Sequence, residues 1–507
     1  MLRNLSLTHY LWTFGAYLVL WLALSISILH ILEVDYQSSF FAPASKPIKE
    51  RYHVRRNITV EEAYLELYNF SNCYRQVDFG ILDAIQTKVV CSPVSNEGSK
   101  ITHLPSDAMW SDGSVWQNFG LDLRGASAMA IINDPSEEGA SHDPRFKYAS
   151  GRIMCHQCAL HGKTTRILNH FFPKHVNDTT QEWRCDHREH GIYDTQIEEN
   201  AILIARKDEH NPFYQISAAL NAWAVAIHHL GWSPISTRVI FVDDGSPMAT
   251  DNLLHKLLGA SYPLVYGKDL VGKRVGFKEA LFVPFEHFGS MMQHLDDEQP
   301  CYESYMVQAF RDAIFEAFQL KKVRHSLVHN DSMPCTITII SRRPYNGRDI
   351  DRMWANEDDI VAAMRDKYGN KCTIESIDFG TKTMAEQISI VASSRIIIGM
   401  HGAGLANILF ASPHSYIIEI FPILTERYGY RNMCQYLGLE YIPFRGGIDT
   451  ILPFQHKTIA FDEWFRVFDL VMDAVLNRDT KDLYEHRKKI QKQIHQQHIL
   501  DTEFPDL

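Results

Sequence analysis

From Ala201 to Phe444 the chain alternates short β-branched apolar runs with longer amphipathic segments, and few folds accept that rhythm. "AILIAR" predicts a strand and "QISAALNAWAVAIHHLG" an amphipathic helix ended by Gly231. "RVIFVDDGS" predicts a strand closing in a turn, and "ATDNLLHKLLG" another helix. "SYMVQAFRDAIFEAFQL" is a further helix that closes a first α/β unit. A second run begins near Cys335. The strand "TITIISRR" is followed by the helix "NEDDIVAAMRDKYG", capped by Asn356 and ended by Gly369. Then come strand "CTIESIDF", helix "TMAEQISIVASS", strand "RIIIGM", a helix starting at "ANILF", strand "SYIIEIFP", helix "RNMCQYLG" and strand "EYIPF". Such alternation implies an α/β fold with parallel, doubly wound sheets. Two such domains in tandem would face a cleft between their strand C-terminal edges, where ligands bind.

The first part of the chain is different. Leu11 to Leu32 carries no formal charge and is about one bilayer thick as a helix. Arg3 precedes it, whereas Glu33 and Asp35 follow, which orients the N-terminus to the cytosol and the body to the lumen. The expectation is a single-pass type II membrane anchor. Residues 33–59 mix Ser, Pro and basic residues without periodicity, as a stem does. From 60 to 200 the pattern is irregular and aromatic, and few elements are legible.

Two features agree with a lumenal body. Asn57, Asn69, Asn177 and Asn330 each open an N-x-S/T sequon beyond the anchor. Nine cysteines are enough for several disulfides with at least one thiol left over. Cys155-His156-Gln157-Cys158, followed by Cys185, His187 and His190, is also a zinc-compatible set. In an oxidising lumen disulfide pairing is the preferred reading, and no metal is expected. The formal charge of −11 speaks against a nucleic-acid partner, which needs a basic footprint.

Candidate chemistry gathers in the second α/β run. Arg342 and Arg343 follow one strand, His401-Gly402-Ala403-Gly404 follow another, and Glu419 lies within the next. A guanidinium pairs a diphosphate bidentately, and a helix N-terminus behind Gly402–Gly404 adds N–H donors. A carboxylate at a neighbouring strand end can accept from ribose hydroxyls. The alternative is a salt bridge from Arg342 or Arg343 to a nearby carboxylate beside a plain glycine turn. The glycine spacing is not G-x-G-x-x-G, so a nicotinamide-cofactor fingerprint is lacking.

The ordered set "SRR", "NEDDI", "AEQI", "IIIGMHGAGLANILF" and "IIEIFP" resembles the C-terminal half of glycosyltransferase family 61. That family includes plant β-1,2-xylosyltransferases and protein O-linked N-acetylglucosaminyltransferases. The resemblance is specific over 339–447, looser back to about 201, and not evident before about 150. It implies a GT-B fold of two Rossmann-like domains, an inverting mechanism, a UDP-sugar donor carrying xylose or N-acetylglucosamine, and no required cofactor. It also implies donor binding by Arg342 or Arg343, by His401 with Gly402, Ala403 and Gly404, and by Glu419. Glu386-Gln387 match the family's "EQ" pair, expected to support the sheet edge. In the N-terminal half the family's Asn-x-x-His-x-x-x-Asp pattern is kept only at Asn211, an acceptor-side residue. Tyr214 stands at the His position and Ala218 at the Asp position, so the catalytic base passes to Asp208 or Tyr214, with Glu209 a further candidate.

The resulting expectation is a Golgi or endoplasmic reticulum glycosyltransferase acting on a glycan or glycoprotein hydroxyl. Its segments are a cytosolic tail 1–10, anchor 11–32, stem 33–59, acceptor-side domain 60–330, nucleotide-sugar domain 331–460, and C-terminal helices and tail 461–507. A non-catalytic sugar-nucleotide or glycan-binding protein of the same fold is the first alternative. The second is a metal-dependent GT-A transferase holding its ion on Asp243-Asp244.

Overall fold

A computed structural model describes residues 73–105, 113–124, 152–160, 192–204, 206, 211–242, 247–283, 289–292, 295, 301, 304–320, 335–344, 351–413, 415–423, 425–450 and 455–476. The chain divides into Met1–Glu66 and Leu67–Leu507, and every described residue belongs to the second unit. The apolar segment 11–32, the stem, the four sequon asparagines and the tail beyond 476 lie outside the described residues. Among the described residues no helix is long and apolar enough to cross a membrane.

The first sheet contains β1 (Lys88–Pro93), β2 (Lys100–Leu104), β3 (Gly113–Asp122), β4 (Arg152–Cys155), β5 (Cys158–Leu160), β6 (Thr195–Ile204), β7 (Thr237–Phe241), β8 (Val265–Tyr266) and β9 (Arg274–Phe282). Its order is β5-β1-β2-β3-β9-β6-β7-β8, with β4 also on β3. The four strands β9, β6, β7 and β8 run parallel to one another, as the sequence rhythm requires. The rest pair antiparallel, so this sheet is mixed rather than purely doubly wound. The antiparallel strands were hidden by their composition. β1 buries only two of its six residues, and β3 breaks its alternation at Asn118, held at φ +49°. A strand without a clean period of two gives little pattern to read.

Helix α1 (Pro212–Trp223) follows β6, α2 (Asp251–Leu258) follows β7, and α3 (Tyr305–Ala317) follows β9. Asn211 caps α1 by accepting from the Phe213 N–H at 3.1 Å. Beyond Trp223 the helix continues as a π-helix over Ala224–His229.

The second sheet is entirely parallel. It comprises β10 (Cys335–Ser341), β11 (Cys372–Asp378), β12 (Ile396–Met400), β13 (Tyr416–Ile420) and β14 (Glu440–Phe444), in the order β11-β10-β12-β13-β14. Between them run α4 (Glu357–Tyr368), α5 (Met384–Ala392) and α6 (Gly429–Leu437). The hairpin β15 (Ile448–Asp449) with β16 (Lys457–Thr458) and helix α7 (Phe461–Leu476) follow. Every residue of β12 and β13 is buried, which explains their near-continuous isoleucine.

One apolar cluster joins the two sheets. It runs from Ile202, Phe241 and Leu281 of the first sheet, through Leu220 of α1 and Phe310 of α3, to Ile340, Ile397 and Ile417 of the second. A second cluster covers the outer face of the first sheet, around Trp116 and Phe277. A third lies under α4 and α7, around Ile339 and Trp464.

One local expectation is corrected and a second is qualified. "ANILF" belongs to an eight-residue 3-10 helix, Ala403–Phe410, rather than an α-helix. The Asn407 amide donates to the Gly404 carbonyl at 3.0 Å, competing for an acceptor that the α ladder would use. Asn356 occupies the N-cap position of α4, as expected, but its side chain makes no capping bond to the helix. Its side chain instead accepts from Ile459 N–H at 3.0 Å and donates to the Ile459 carbonyl at 2.8 Å, tying α4 to the chain entering α7.

Candidate functional site

In the second sheet β10 has β11 on one side and β12 on the other, so the chain crosses over in both directions from it. Such a switch point leaves a crevice at the strand C-terminal ends. Arg342 immediately follows β10 at that edge, and His401-Gly402-Ala403-Gly404 follow β12. Pleat alternation then decides what each arginine does. Ile340 faces the shared core, whereas Ile337 and Ile339 face the core under α4. Arg342 continues the Ile340 side and lies against the glycine turn. A Cβ on Gly402 would stand 1.9 Å from Arg342 Nη1, and Gly402 has φ +156° and ψ 172°, a region open almost only to glycine. Arg343 continues the other side. It donates from Nη2 to Asp358 Oδ1 at 2.9 Å and to Glu357 Oε1 at 3.4 Å, on the first turn of α4.

Arg342 is poorly satisfied by the protein. Its Nη2 donates to the Asp351 carbonyl at 3.2 Å, and its buried Nε has no partner among the described residues. Burial, and after it the like charge of Arg352, hold the guanidinium down at about 10. A buried N–H without an acceptor costs about 1–3 kcal/mol, which an anion in the crevice would relieve.

Beside the arginine stands an ordered histidine. His401 shares a 2.5 Å hydrogen bond with Glu419 Oε1; the carboxylate can only accept, so Nδ1 is the donor. The Tyr441 hydroxyl donates to Glu419 Oε2 at 2.6 Å. Burial and the Glu419 charge push the Tyr441 hydroxyl well up, so it stays a donor. Glu419 is fully buried, with both oxygens committed to protein partners. The ribose-accepting role expected of it therefore lacks an exposed oxygen; its geometry is that of a group that orients His401. The His401 ring stacks on Phe421 at 5.3 Å and meets Tyr430 edge-on at 5.8 Å. The Tyr430 hydroxyl donates to the Gly402 carbonyl at 2.8 Å, and its ring packs edge-on against Phe213 of α1 at 5.4 Å. With Nδ1 fixed, Nε2 is the ring nitrogen left to meet a ligand. A half-buried cation with a buried Nε, a glycine turn and an oriented imidazole at one strand edge are chemistry that would suit a phosphate-bearing ligand.

Comparison with known proteins gives the family. The family model described as Glycosyltransferase 61 matches residues 156–418, a span that contains the site up to β13. The chain belongs to glycosyltransferase family 61. Its similarity to individual family relatives is low. It is 23% identical over 323 residues to an EGF domain-specific O-linked N-acetylglucosamine transferase of Drosophila melanogaster, covering 59% of this chain and 57% of that protein. It is 22% identical over 279 residues to a beta-1,2-xylosyltransferase of Arabidopsis thaliana, covering 48% and 51%. To the EGF domain-specific O-linked N-acetylglucosamine transferase of Gallus gallus it is 28% identical over 193 residues, covering 36% and 32%. The chain thus spans about half the length, or less, of these curated relatives.

The other expected residues of this family 61 chain fall as follows. Ala403 and Gly404 open the 3-10 helix behind the glycine turn. Glu386 closes a capping box with Thr383 at the start of α5, and Gln387 donates to the Phe379 and Lys382 carbonyls, so this pair shapes the loop after β11. Asn211 caps α1. Tyr214 sits on the first turn of that helix beside Phe213, within electrostatic reach of Tyr430. Ala218 is buried in the same helix. Asp208, Glu209, Asp243 and Asp244 lie outside the described residues, as do Cys185, His187 and His190. Cys158 pairs with Cys91, and Cys155 is also disulfide-bonded, so both CxxC sulfurs are taken by disulfides rather than by zinc. Further disulfides join Cys73 to Cys301 and Cys335 to Cys372, and Cys434 is a buried free thiol.

Sequence reasoning missed Tyr430, Tyr441 and Arg352. The two tyrosines lie on elements it did read, but only the folded register brings them to Gly402 and Glu419. Arg352 lies in a stretch without periodicity.

Proposed function

We propose that this chain is an inverting glycosyltransferase of GT-B type that transfers a sugar from a UDP-sugar to a glycan or glycoprotein hydroxyl. The observation that carries the reading is the buried Nε of Arg342, without a partner among the described residues, beside the Gly402 turn at the switch point. In the proposed reaction the acceptor oxygen attacks the anomeric carbon as the bond from that carbon to the diphosphate breaks. Arg342 and the turn's N–H groups stabilise the charge on the departing UDP, and His401, aligned by Glu419, adds a hydrogen bond from Nε2. The acceptor proton passes to Asp208 or to Tyr214, which flank Asn211. No metal or other cofactor is required. Xylose and N-acetylglucosamine are the proposed sugars, since relatives that transfer each match the chain.

The proposed setting is the Golgi or endoplasmic reticulum lumen, with 11–32 as a type II anchor. The disulfides support an oxidising compartment, because such bonds are rare in the cytosol. The test is a thermal-shift panel of UDP- and GDP-sugars on the full-length chain, followed by transfer assays with Asp208→Asn and Tyr214→Phe. A UDP-sugar at 100 times its Kd should stabilise the fold by about 2.7 kcal/mol. A chain that no nucleotide stabilises would sink the donor reading.

A further inference from the structure

A second arginine follows directly on Asp351, whose carbonyl Arg342 holds beside the glycine turn, and nothing in the motif set points to it. Arg352 is one of four described non-glycine residues with positive φ, at +63°. Its backbone is pinned on both sides. The Asp351 carboxylate accepts from the Arg352 N–H at 3.0 Å and from the Gln455 N–H at 2.6 Å. Met353 N–H donates to His456 Nδ1 at 3.2 Å, and its carbonyl accepts from Lys457 N–H at 2.8 Å. Trp354 then anchors the segment in the core against Trp464, ring centroids 4.9 Å apart. An arginine held in the left-handed region costs of order 1–3 kcal/mol, and persists only where its surroundings over-determine it.

What the pinning achieves is a pair of like charges. Arg342 Nη2 bonds to the Asp351 carbonyl, which places its guanidinium against the peptide that leads into Arg352. The Arg352 charge is felt at both Arg342 and Tyr430, the two groups that hold the Gly402 turn. Arg352 Nε is buried without a partner, as is Arg342 Nε, and neither guanidinium pairs with a carboxylate side chain among the described residues. Asp351, the adjacent acid, spends one carboxylate oxygen on two backbone N–H groups. Two buried guanidinium N–H groups without acceptors, on arginines close enough for their charges to repel, are unfavourable alone and favourable around a group bearing several negative oxygens.

We infer that Arg352 is a second diphosphate-binding arginine, which with Arg342 grips the two phosphates of a nucleoside diphosphate at the Gly402 turn. The inference rests on the donor reading above and adds to it a selectivity: the site counts phosphates. A monophosphate satisfies one guanidinium and a diphosphate satisfies both.

Calorimetric titration of the full-length chain with UDP and with UMP tests this. Wild type should bind UDP roughly 10- to 100-fold more tightly than UMP, the worth of one charge-assisted pair. Arg352→Ala should bring UDP affinity to the UMP level and leave UMP within about twofold, by the same reckoning. Arg352→Gly removes the guanidinium while accepting positive φ, so it should bind like the alanine variant and melt, without ligand, at or above wild type. A purely structural arginine would instead lower that melting temperature. If wild type binds UDP and both variants keep the UDP-to-UMP preference, the inference is overturned and the donor reading stands. If wild type binds neither nucleotide, the donor reading itself fails.

Discussion

Arg342 and Arg343 are neighbours in sequence with different surroundings, and one alternation of the strand separates them. The motif "SRR" made both candidates; Arg343 makes the salt bridge that the sequence allowed, and Arg342 lies against the glycine turn without an acidic side-chain partner among the described residues. What could not be read was which face of "TITIIS" looks toward the glycine turn, because isoleucine fills both faces of a doubly covered strand. The prediction follows from the partners. Arg342→Ala should weaken UDP binding roughly 10- to 100-fold. Arg343→Ala loses a half-exposed ion pair, should leave UDP affinity unchanged, and should shift stability by no more than about 1 kcal/mol. Titration and melting of the two variants check it; equal losses of affinity would refute the split. Glu419 gives a second test. If it acts by orienting His401, Glu419→Gln should lower the transfer rate roughly 10- to 100-fold, and Tyr441→Phe by less, with UDP-sugar KM little changed in both. A ribose ligand would instead raise KM.

At the scale of elements, legibility followed periodicity. The parallel strands of the second sheet and their helices were readable because each is an uninterrupted apolar run or a clear amphipathic stripe. The antiparallel strands β1 to β5 were not, since their cohesion comes from pairing partners and from Cys91–Cys158 across β1 and β5 rather than from pattern. The glycine turn itself was readable, but the helix behind it was not, because the Asn407 side chain decides between α and 3-10 geometry. Cys335–Cys372 shows how a disulfide supports the switch point. It joins the first residues of β10 and β11, at the strand ends opposite the site, across a sequence separation of 37. Replacing both cysteines by alanine should destabilise the fold by about 2–4 kcal/mol. UDP affinity of the folded fraction should be kept, because the site lies at the other end of β10. Denaturant melts and titration below the transition would show a direct role in the site if affinity fell instead.

The whole molecule is where the tandem-domain picture meets its strongest physical constraint. Two α/β units, each with its own core, would unfold separately if little apolar contact joined them. Here the cluster between the sheets is shared: Phe213, Ile216 and Leu220 of α1 belong to the same buried set as Leu405 and Leu409 of the 3-10 helix behind the glycine turn and Met433 of α6. Tyr430 ties the turn to α1 directly, through its hydroxyl on Gly402 and its ring on Phe213. Any rigid-body separation of the halves would expose this layer, at about 25 cal/mol per Å² of apolar surface. The expected consequence is one cooperative transition. Calorimetry of the full-length chain should give a single endotherm for the body, and a saturating nucleotide should move all of it. Leu405→Ala is the sharper probe. Leu405 is buried, and its Cδ2 reaches to 3.0 Å from where a Cβ on Gly399 would stand, in the gap glycine leaves in β12. Its truncation should destabilise by about 2–5 kcal/mol and shift the whole transition together. An endotherm that splits, with only the portion carrying the second sheet moving, would mean that the shared layer does not couple the two halves.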